Sequence, residues 1–591
     1  MCGIFGYIGT KDSLQVCLNG LQLLEYRGYD STGIAGVENG QIAYCKEAGK
    51  LHVLQQKLPF QKLDVAIGHT RWATHGKVSS NNAHPHLDEK CDIALVHNGI
   101  IENYDVLRSD LQMHGVRFVS ETDSEVIVQL IAHHYKGELV EAVQKVLPLL
   151  KGHFAIAVIH KDFPDRIVAA ARECPLAIGY DDAGTEAVIS SDPNAFLSST
   201  PNVLFLRKDE VALIQKGKIS LFNSQNLPLC KQPERLEGHH TPPSKGGFAH
   251  YMLKEIFEQS ATVQKAIFGR MDEKEVLFEA LPETFRNAKR VWFIGCGTSA
   301  HAGMIGSLFL EDIAQIPSHT EIASEARFRI VPEETLVIAI SQSGETADTI
   351  AAVREFKSRG LKVLGICNVK NSTLTRETDG CIFLKAGPEM SVCSTKAFTS
   401  QIAVLYLLAK FFARQSAEEI KTIPAQIQEV LKLAPLIQQI AKKYSHFRNF
   451  FFMGRHYMYP TCLEAALKLK EISYVNANGY PAGELKHGPI ALIDTHFPVV
   501  AFCANKQTEE KILSNLQEVK ARGAPIIALA PKELSAVSAV ADDVIWLPST
   551  SDKLAPFTST VAGQLLAYYI ALSLGCDIDQ PRNLAKSVTV E

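Results

Sequence analysis

Two stretches of this chain read as buried parallel sheet, and they share one grammar. VWFIGCG (291–297) and TLVIAISQSG (335–344) are apolar on both faces, and each runs into a small-residue turn and then a helix; VLGICN (363–368) adds a third strand of the kind. A strand wet on one face alternates apolar with polar residues, whereas a strand covered by crossover helices on both faces reads as a continuous apolar run. The pattern returns with FFFMGR (450–455) ahead of a helix containing LEAALKLKEIS, followed by PVVAFCAN (498–505) and PIIALA (525–530). Two similar doubly wound α/β units in tandem are expected, at roughly 250–430 and 435–580.

The chain before them obeys a different rule. Up to about residue 223, short apolar runs are broken by turn residues, and Asn39-Gly40 between IAGVE and QIAYC is a hairpin signal because both positions tolerate positive φ. Further strand candidates are VAIGH (65–69), IALVH (93–97), FAIAVIH (154–160), IVAAA (167–171) and VALIQKGKISLF (211–222), interrupted by two helices around 13–24 and 124–134. This predicts an α+β sandwich built largely from antiparallel strands. The segment NLPLCKQPERLEGHHTPPSKGG (226–247) is rich in proline, glycine and charge without apolar period, and reads as an interdomain linker.

Bulk properties narrow the partners. With 591 residues the chain exceeds what one core sustains, and its net charge of −4 gives no basic stripe for nucleic acid. Thirteen cysteines, an odd number with no CxxC pair, argue for free thiols in a reducing, cytoplasmic setting. No basic segment precedes an apolar run at the N-terminus, and no run reaches the roughly 18 apolar residues of a membrane span. The expectation is a protein that neither crosses a membrane nor leaves the cell.

Candidate chemistry lies at strand ends. SQSGET (341–346) places three hydroxyls, an amide and a glycine at a helix N-terminus, where backbone donors and the helix dipole favour an anion. GCGTSAHAG (295–303) offers a second such turn, so an ordinary Ser/Thr cap is the weaker explanation. Glu464, Lys468 and Glu471 share one helix face, which is either an exposed ion-paired surface or a carboxylate base beside a buried lysine; spacing alone assigns neither. Lys586, in the tail NLAKSVTVE (583–591), is a solvated lysine unless that tail folds over a site.

In the first block, IGHTRWATHG (67–76), HNGIIENY (97–104) and SETDSE (120–125) supply an arginine and an aspartate able to hold an amino acid's charged groups, and an Asn-Gly able to donate to an oxyanion. His84, His86 and His97, like the pair His239-His240, lack the carboxylate or Cys at ligand spacing that a metal site needs, so no metal is expected. The opening MCGIFGYIG puts Cys2 second. If Met1 is removed, one residue carries both a thiol and an α-amine of pKa about 7.7–8.0 that can act as its base. The competing explanation is a small buried residue leading into the first strand.

CGIFGYIG, LEYRGYDSTGIA (24–35), GHTRWATHG, HNGIIENY and ETDSE together resemble the glutamine amidotransferase domain of the N-terminal-nucleophile class. SQSGET, STKAFT (394–399), LKLKEIS (467–473), GELKHGP and QPRNLAKSVTVE (580–591) resemble paired sugar isomerase (SIS) domains, and the order of the whole resembles the glutamine:fructose-6-phosphate aminotransferase (isomerizing) family nearly end to end. The resemblance implies an amidotransferase domain over 1–225, a linker over 226–247, SIS domains over 248–434 and 435–580, and a C-terminal tail, 581–591, over the sugar site. It implies amination and isomerisation of fructose-6-phosphate to glucosamine-6-phosphate, with glutamine as donor and ammonia passed internally.

By the same resemblance, Cys2 is the nucleophile and Asn98 with Gly99 the oxyanion hole, while Arg71, Thr74, His75 and Asp123 bind glutamine. Trp72 would gate the ammonia path, and Arg27 would lie in the loop that orders near the glutamine site. Ser299, Ser341, Gln342, Ser343 and Thr346 would hold the sugar phosphate, and Val392, Ser394 and Ala585 would contact the sugar. Lys586 would form a Schiff base, Glu471 would move the proton between carbons 1 and 2, and Lys468 and Glu464 would support the site. His487 would open the ring from a neighbouring subunit, so a homodimer is implied; no metal, nucleotide or prosthetic group is needed. Cys393 stands where the family commonly has alanine, and HYMY (456–459) where a glycine and an acid are expected, which leaves two local loop shapes open. An amidotransferase feeding a phosphoribosyl acceptor would carry a phosphoribosyltransferase loop, and a phosphosugar sensor would lack a nucleophile at position two; neither pattern is found.

Overall fold

The computed structural model describes residues 2–236, 244–272, 274–278 and 281–589. The chain divides into two compact units, Met1–Pro243 with Ser587–Glu591, and Ser244–Lys586. The expectations for Met1 and for His239-His240 lie outside the described residues.

In the first unit the leading strand Gly3–Ile8 pairs antiparallel with Ala187–Ser190 on one side and Ala66–Arg71 on the other, inside an eight-stranded sheet. Ser31–Glu38 and Gln41–Ala48 complete one edge of it, joined at Asn39 and Gly40 with φ of 52° and 71° as the hairpin signal requires. A seven-stranded sheet carries Ile93–Ile101 between His86–Leu87 and Gly152–His160. Alternate residues of these strands enter different cores. Ile4 and Ile8 join Ala94, Val96, Ala155 and Ala157 between the two sheets, whereas Phe5 and Tyr7 pack with Leu14, Leu18 and Leu21 of the helix Ser13–Leu24. Ile93 and Leu95 likewise turn outward to Ile127 and Ile131 of the helix Ser124–His134.

The result is helix, sheet, sheet and helix in layers, which buries antiparallel strands on both faces. It explains why IALVH and FAIAVIH read as continuous apolar runs without being parallel. The candidate strand 211–222 is two strands, Glu210–Gln215 and Lys218–Phe222, turning at Gly217 with φ 79°. Of the stretch 226–247, Pro228–Leu229 and Glu234–Arg235 pair onto the two sheets of this unit. Three helices were not expected, the short Leu51–Gln55 and two longer ones. Tyr104–Met113 buries only Leu111 and so shows no apolar stripe, whereas Leu139–Val146 buries Leu139, Ala142, Val143 and Val146, a readable helical period.

The second unit holds two five-stranded parallel sheets. Their spatial orders are Ser318–Ile322, Arg290–Gly295, Thr335–Ser341, Lys362–Cys367, Gly380–Phe383, and Asn476–Pro481, Asn449–Gly454, Val499–Phe502, Ile526–Pro531, Asp543–Leu547. In each, the second strand lies outside the first and the third inside it, so the order reverses beside the first strand. One continuous core runs from Met252 to Ile578 across both halves. Lys396–Ala413 is the one described helix long and apolar enough to cross a membrane, and 89% of it is buried inside the protein, as befits a core helix.

Candidate active sites in the two units

Cys2 sits half-buried at the start of the leading strand. Its Sγ accepts a hydrogen bond from the Trp72 amide at 3.3 Å and lies 3.5 Å from the Trp72 carbonyl oxygen, so the strand Ala66–Arg71 and the turn after it fix the thiol. Burial pushes the thiol up, which leaves it protonated near neutral pH and dependent on a base. Asn98, near the end of Ile93–Ile101, donates from Nδ2 to the Cys2 carbonyl oxygen at 3.0 Å. Gly99 has φ 123°, and a Cβ there would come within 2.0 Å of the His153 carbonyl oxygen of the adjoining strand. Only glycine fits, and the turned backbone places its N–H beside the Asn98 amide in the chain.

Around this thiol the predicted glutamine-binding residues gather in part. Arg71 is 4% exposed, bonds the His75 carbonyl through Nη2, and keeps Nη1 buried without a hydrogen-bond partner among the described residues. Asp123, also buried, accepts from the Ile101 amide at 2.8 Å and attracts the Arg71 guanidinium. Thr74 and His75 lie at the exposed rim, joined at 3.3 Å. Arg27, buried, is held by the Ser191 carbonyl at 3.1 Å and the Asp192 carboxylate at 3.4 Å. Asp30, inside LEYRGYDSTGIA but given no role there, anchors the turn by accepting from Ala73 N at 2.9 Å.

The histidines set aside as metal ligands, His84, His86 and His97, cluster with His69. His69 lies 4.0 Å from His84 between ring centroids, and His84 lies 4.6 Å from His86 and 6.4 Å from His97. Hydroxyls of Ser124 and Thr122 partner them, and no cluster able to hold a metal is present among the described residues. Burial lowers all four imidazoles, His69 to about 3. The unfolded chain protonates them near pH 6.5 while the folded unit resists, so the stability they contribute is present above about that pH and lost as pH falls toward the folded values. Calorimetry should show the melting temperature of this unit falling between about pH 7 and pH 5, with net proton uptake on unfolding; a flat profile would show that these protons are not linked to folding.

In the second unit both polar turns follow strands that flank the reversal point of the first parallel sheet. Ser341 Oγ is 3.3 Å from Thr346 Oγ1 and accepts from the Gly344 amide at 3.0 Å, while Ser343 Oγ accepts from Glu345 N. Gly344 has φ 69°, and a Cβ would meet Ser372 Oγ at 2.0 Å. The Gln342 carbonyl accepts from Asn368 N, and Ser299, in the first turn of the helix Thr298–Phe309, accepts from Gln401 at 3.1 Å. Such a pair of turns at helix N-termini suits a phosphate.

The ionic face of the helix Met458–Ser473 is inside, not on the surface: Glu464 and Lys468 are about 1% exposed. Lys468 Nζ is 3.3 Å from Glu464 and 2.7 Å from Glu471. Burial opposes its charge, but the two carboxylates outweigh it and hold Lys468 as an ammonium ion. Thr298 donates to Glu464 at 3.0 Å and His301 Nδ1 lies 2.8 Å from Glu464, which ties the two halves of this unit together. Cys393 lies in the same electrostatic neighbourhood; burial and Glu471 raise its thiol, so it stays neutral.

Lys586 is not solvated. Its Nζ donates to Glu389 Oε2 at 2.5 Å, with side-chain exposures of 2% and 0%. Burial works against the Glu389 charge, and Lys586 with the amides of Thr395 and Ala397 overcomes it. Glu255 accepts from the Met390 and Ser391 amides, and burial beside Glu389 pushes it up to about 8. Val392 donates to the Asp579 carbonyl, Ser394 Oγ is buried without a partner among the described residues, and Ala585 is half-buried beside Lys586 in the chain. His487 lies exposed in the turn Ala482–His487, and His456 adopts φ 53°, the conformation a glycine there would supply. Glu389 and Glu255 were not anticipated, since neither stands at a spacing that separates it from an ordinary polar residue, and Thr298 and His301 lie in GCGTSAHAG but were given no role.

Comparison with known proteins places the chain itself. The glutamine amidotransferase domain family matches residues 69–198, and the SIS domain family matches 284–411 and 443–574. The chain thus couples an N-terminal-nucleophile amidotransferase fold to two tandem SIS domains. It is 45% identical to the glutamine–fructose-6-phosphate aminotransferase (isomerizing) of Thermus thermophilus and 42% identical to that of Aquifex aeolicus, over 100% of both chains in each case. The solved C-terminal domain of glucosamine-fructose-6-phosphate aminotransferase from Francisella tularensis is 41% identical, with a TM-score of 0.55, covering 57% of this chain and 100% of that one. The chain belongs to the glutamine–fructose-6-phosphate aminotransferase (isomerizing) family.

Proposed function

We propose that the protein converts fructose-6-phosphate and glutamine to glucosamine-6-phosphate and glutamate. The observation that carries this reading is one chain holding both an N-terminal thiol beside an Asn-Gly oxyanion pair and a buried, carboxylate-bound lysine in the unit that bears the phosphate-type turns. Cys2 attacks the amide carbon of glutamine, with its thiol proton passing to the α-amine freed by removal of Met1. Asn98 and Gly99 stabilise the oxyanion, ammonia leaves with the returned proton, and water hydrolyses the γ-glutamyl thioester. Arg71 and Asp123 hold the carboxylate and ammonium of glutamine, with Thr74 and His75 at the rim.

In the sugar half, Ser299, Ser341, Gln342, Ser343 and Thr346 bind the phosphate. Lys586 condenses with carbon 2 of the open-chain ketose, releasing water, and ammonia then displaces the lysine. Glu471, next to the fixed ammonium of Lys468, carries the proton from carbon 1 to carbon 2, leaving an aldose aminated at carbon 2. Val392, Ser394 and Ala585 shape the pocket for the sugar. The exposed position of His487 suits a ring-opening role in a neighbouring subunit, and so a homodimer. Thirteen free cysteines fit a reducing, cytoplasmic setting.

Ammonia released into water would be diluted and protonated, so a closed path raises its effective concentration. Trp72, whose backbone flanks the thiol, gates that path, with Arg27 in the supporting loop. Trp72→Ala should keep glutamine hydrolysis while glucosamine-6-phosphate formed per glutamate falls several-fold; an unchanged ratio would remove Trp72 as the gate. Absence of any glucosamine-6-phosphate from wild-type protein supplied with both substrates would overturn the function itself.

A further inference from the structure

We propose that His69 is a positioning residue for the glutaminase step: its Nε2–H holds the Asn98 carboxamide in the one orientation that turns Nδ2 toward Cys2. This rests on Asn98 serving as an oxyanion donor. A carboxamide can be turned over about its last bond with almost no change of shape, yet only one of the two orientations donates toward the reacting carbonyl. The other presents an oxygen to a developing negative charge.

Two contacts decide which orientation holds. The group facing the Cys2 carbonyl oxygen, 3.0 Å away, must be a donor, because a carbonyl only accepts. The opposite end of the amide is then Oδ1, and His69 Nε2 lies 3.0 Å from it. An oxygen there demands a donor, so Nε2 carries the proton and Nδ1 is bare. Nδ1 then keeps only its lone pair; it is buried, without a hydrogen-bond partner among the described residues, and the His97 backbone lies close to the ring. Burial keeps the ring neutral, so one proton is present and its place is fixed.

The imidazole is itself held. His69 is fully buried in the strand Ala66–Arg71, and its ring stacks on His84 at 4.0 Å and 29°. His84 Nδ1 in turn accepts from the His97 amide at 3.3 Å, one residue before Asn98. His97 Nδ1 meets Ser124 at 2.8 Å beside Asp123. The stacked His69–His84 pair thus reaches Asn98 through its side-chain amide and its neighbouring backbone.

The test is a double-mutant cycle on the full-length protein. Asn98→Ala should lower glutaminase kcat by about 10²–10³-fold, as loss of one oxyanion donor does. His69→Phe, and His69→Leu in case the larger ring disturbs packing, should lower kcat at least tenfold with KM for glutamine little changed. Combining either with Asn98→Ala should add almost nothing, and His69→Gln, which keeps a donor, should restore much of the rate. Glutamate γ-semialdehyde, whose thiohemiacetal oxygen occupies the oxyanion position, should bind His69→Phe at least tenfold more weakly, while iodoacetamide alkylates Cys2 at the wild-type rate. Unchanged kcat in Asn98→Ala would overturn the Asn98 assignment and the proposal with it. A large loss in Asn98→Ala with none in the His69 variants, or with losses that multiply in the double variant, would overturn the role of His69 alone.

Discussion

Lys586→Ala should abolish formation of a borohydride-trappable adduct with fructose-6-phosphate and lower glucosamine-6-phosphate synthesis on the order of 10³-fold or more, while leaving glutamine hydrolysis intact. The reason lies in its pairing. A lysine in solvent samples many rotamers and presents its amine at no fixed place. Here the ammonium is 2.5 Å from a carboxylate that is itself fully buried and already accepting from two backbone amides. Glu389 is therefore the anchor that places Lys586. Removing the lysine also strands a buried carboxylate, at a cost of about 3–5 kcal/mol. Lys586→Arg separates the two effects: it keeps a cation against Glu389 and cannot form the imine. Mass spectrometry of the reduced adduct reads the outcome, and a full-strength adduct on another lysine would sink the assignment.

Cys2→Ala should abolish glutamine hydrolysis, lowering kcat by a factor on the order of 10⁴ or more, and leave the Lys586 adduct untouched. The thiol is pushed up by burial and so attacks only as a base removes its proton. Cys2→Ser tests that point, since a hydroxyl in the same place is harder still to deprotonate and should be nearly as inactive. Retained glutamine turnover in Cys2→Ala would refute the nucleophile. Intact mass of the purified protein belongs beside this experiment, because only loss of Met1 puts the α-amine on the residue that uses it.

Most of the fold was legible because burial on both faces leaves a signature that needs no partner to read. TLVIAISQSG predicted its strand, its turn and the helix after it. The same signature does not distinguish parallel from antiparallel strands once a sandwich has four layers, which is why IALVH resembles TLVIAI in composition and differs in pairing. The candidate sites could be proposed from sequence where a loop carries several polar residues in a row, as in SQSGET and GHTRWATHG. They were not legible where one polar residue works through a long-range contact. Glu389 is 197 residues from Lys586, and His69 is 29 from Asn98. Glu464, Lys468 and Glu471 show the limit from the other side, since their spacing fits a wet face and only burial reveals an internal one.

The continuous core shared by the two parallel-sheet halves bears on how the chain is made. Lys396–Ala413 has nearly every side chain buried, and it leaves the ribosome before the second half exists. The helix Thr298–Phe309 meets its polar partner, Glu464, later still, when the helix Met458–Ser473 has been synthesised. A nascent chain stopped near residue 440 therefore exposes apolar helix surface and an unpartnered polar turn, a combination prone to association. The duplicated halves are a single folding commitment, so any exchange of sugar-handling parts between relatives must transfer both together.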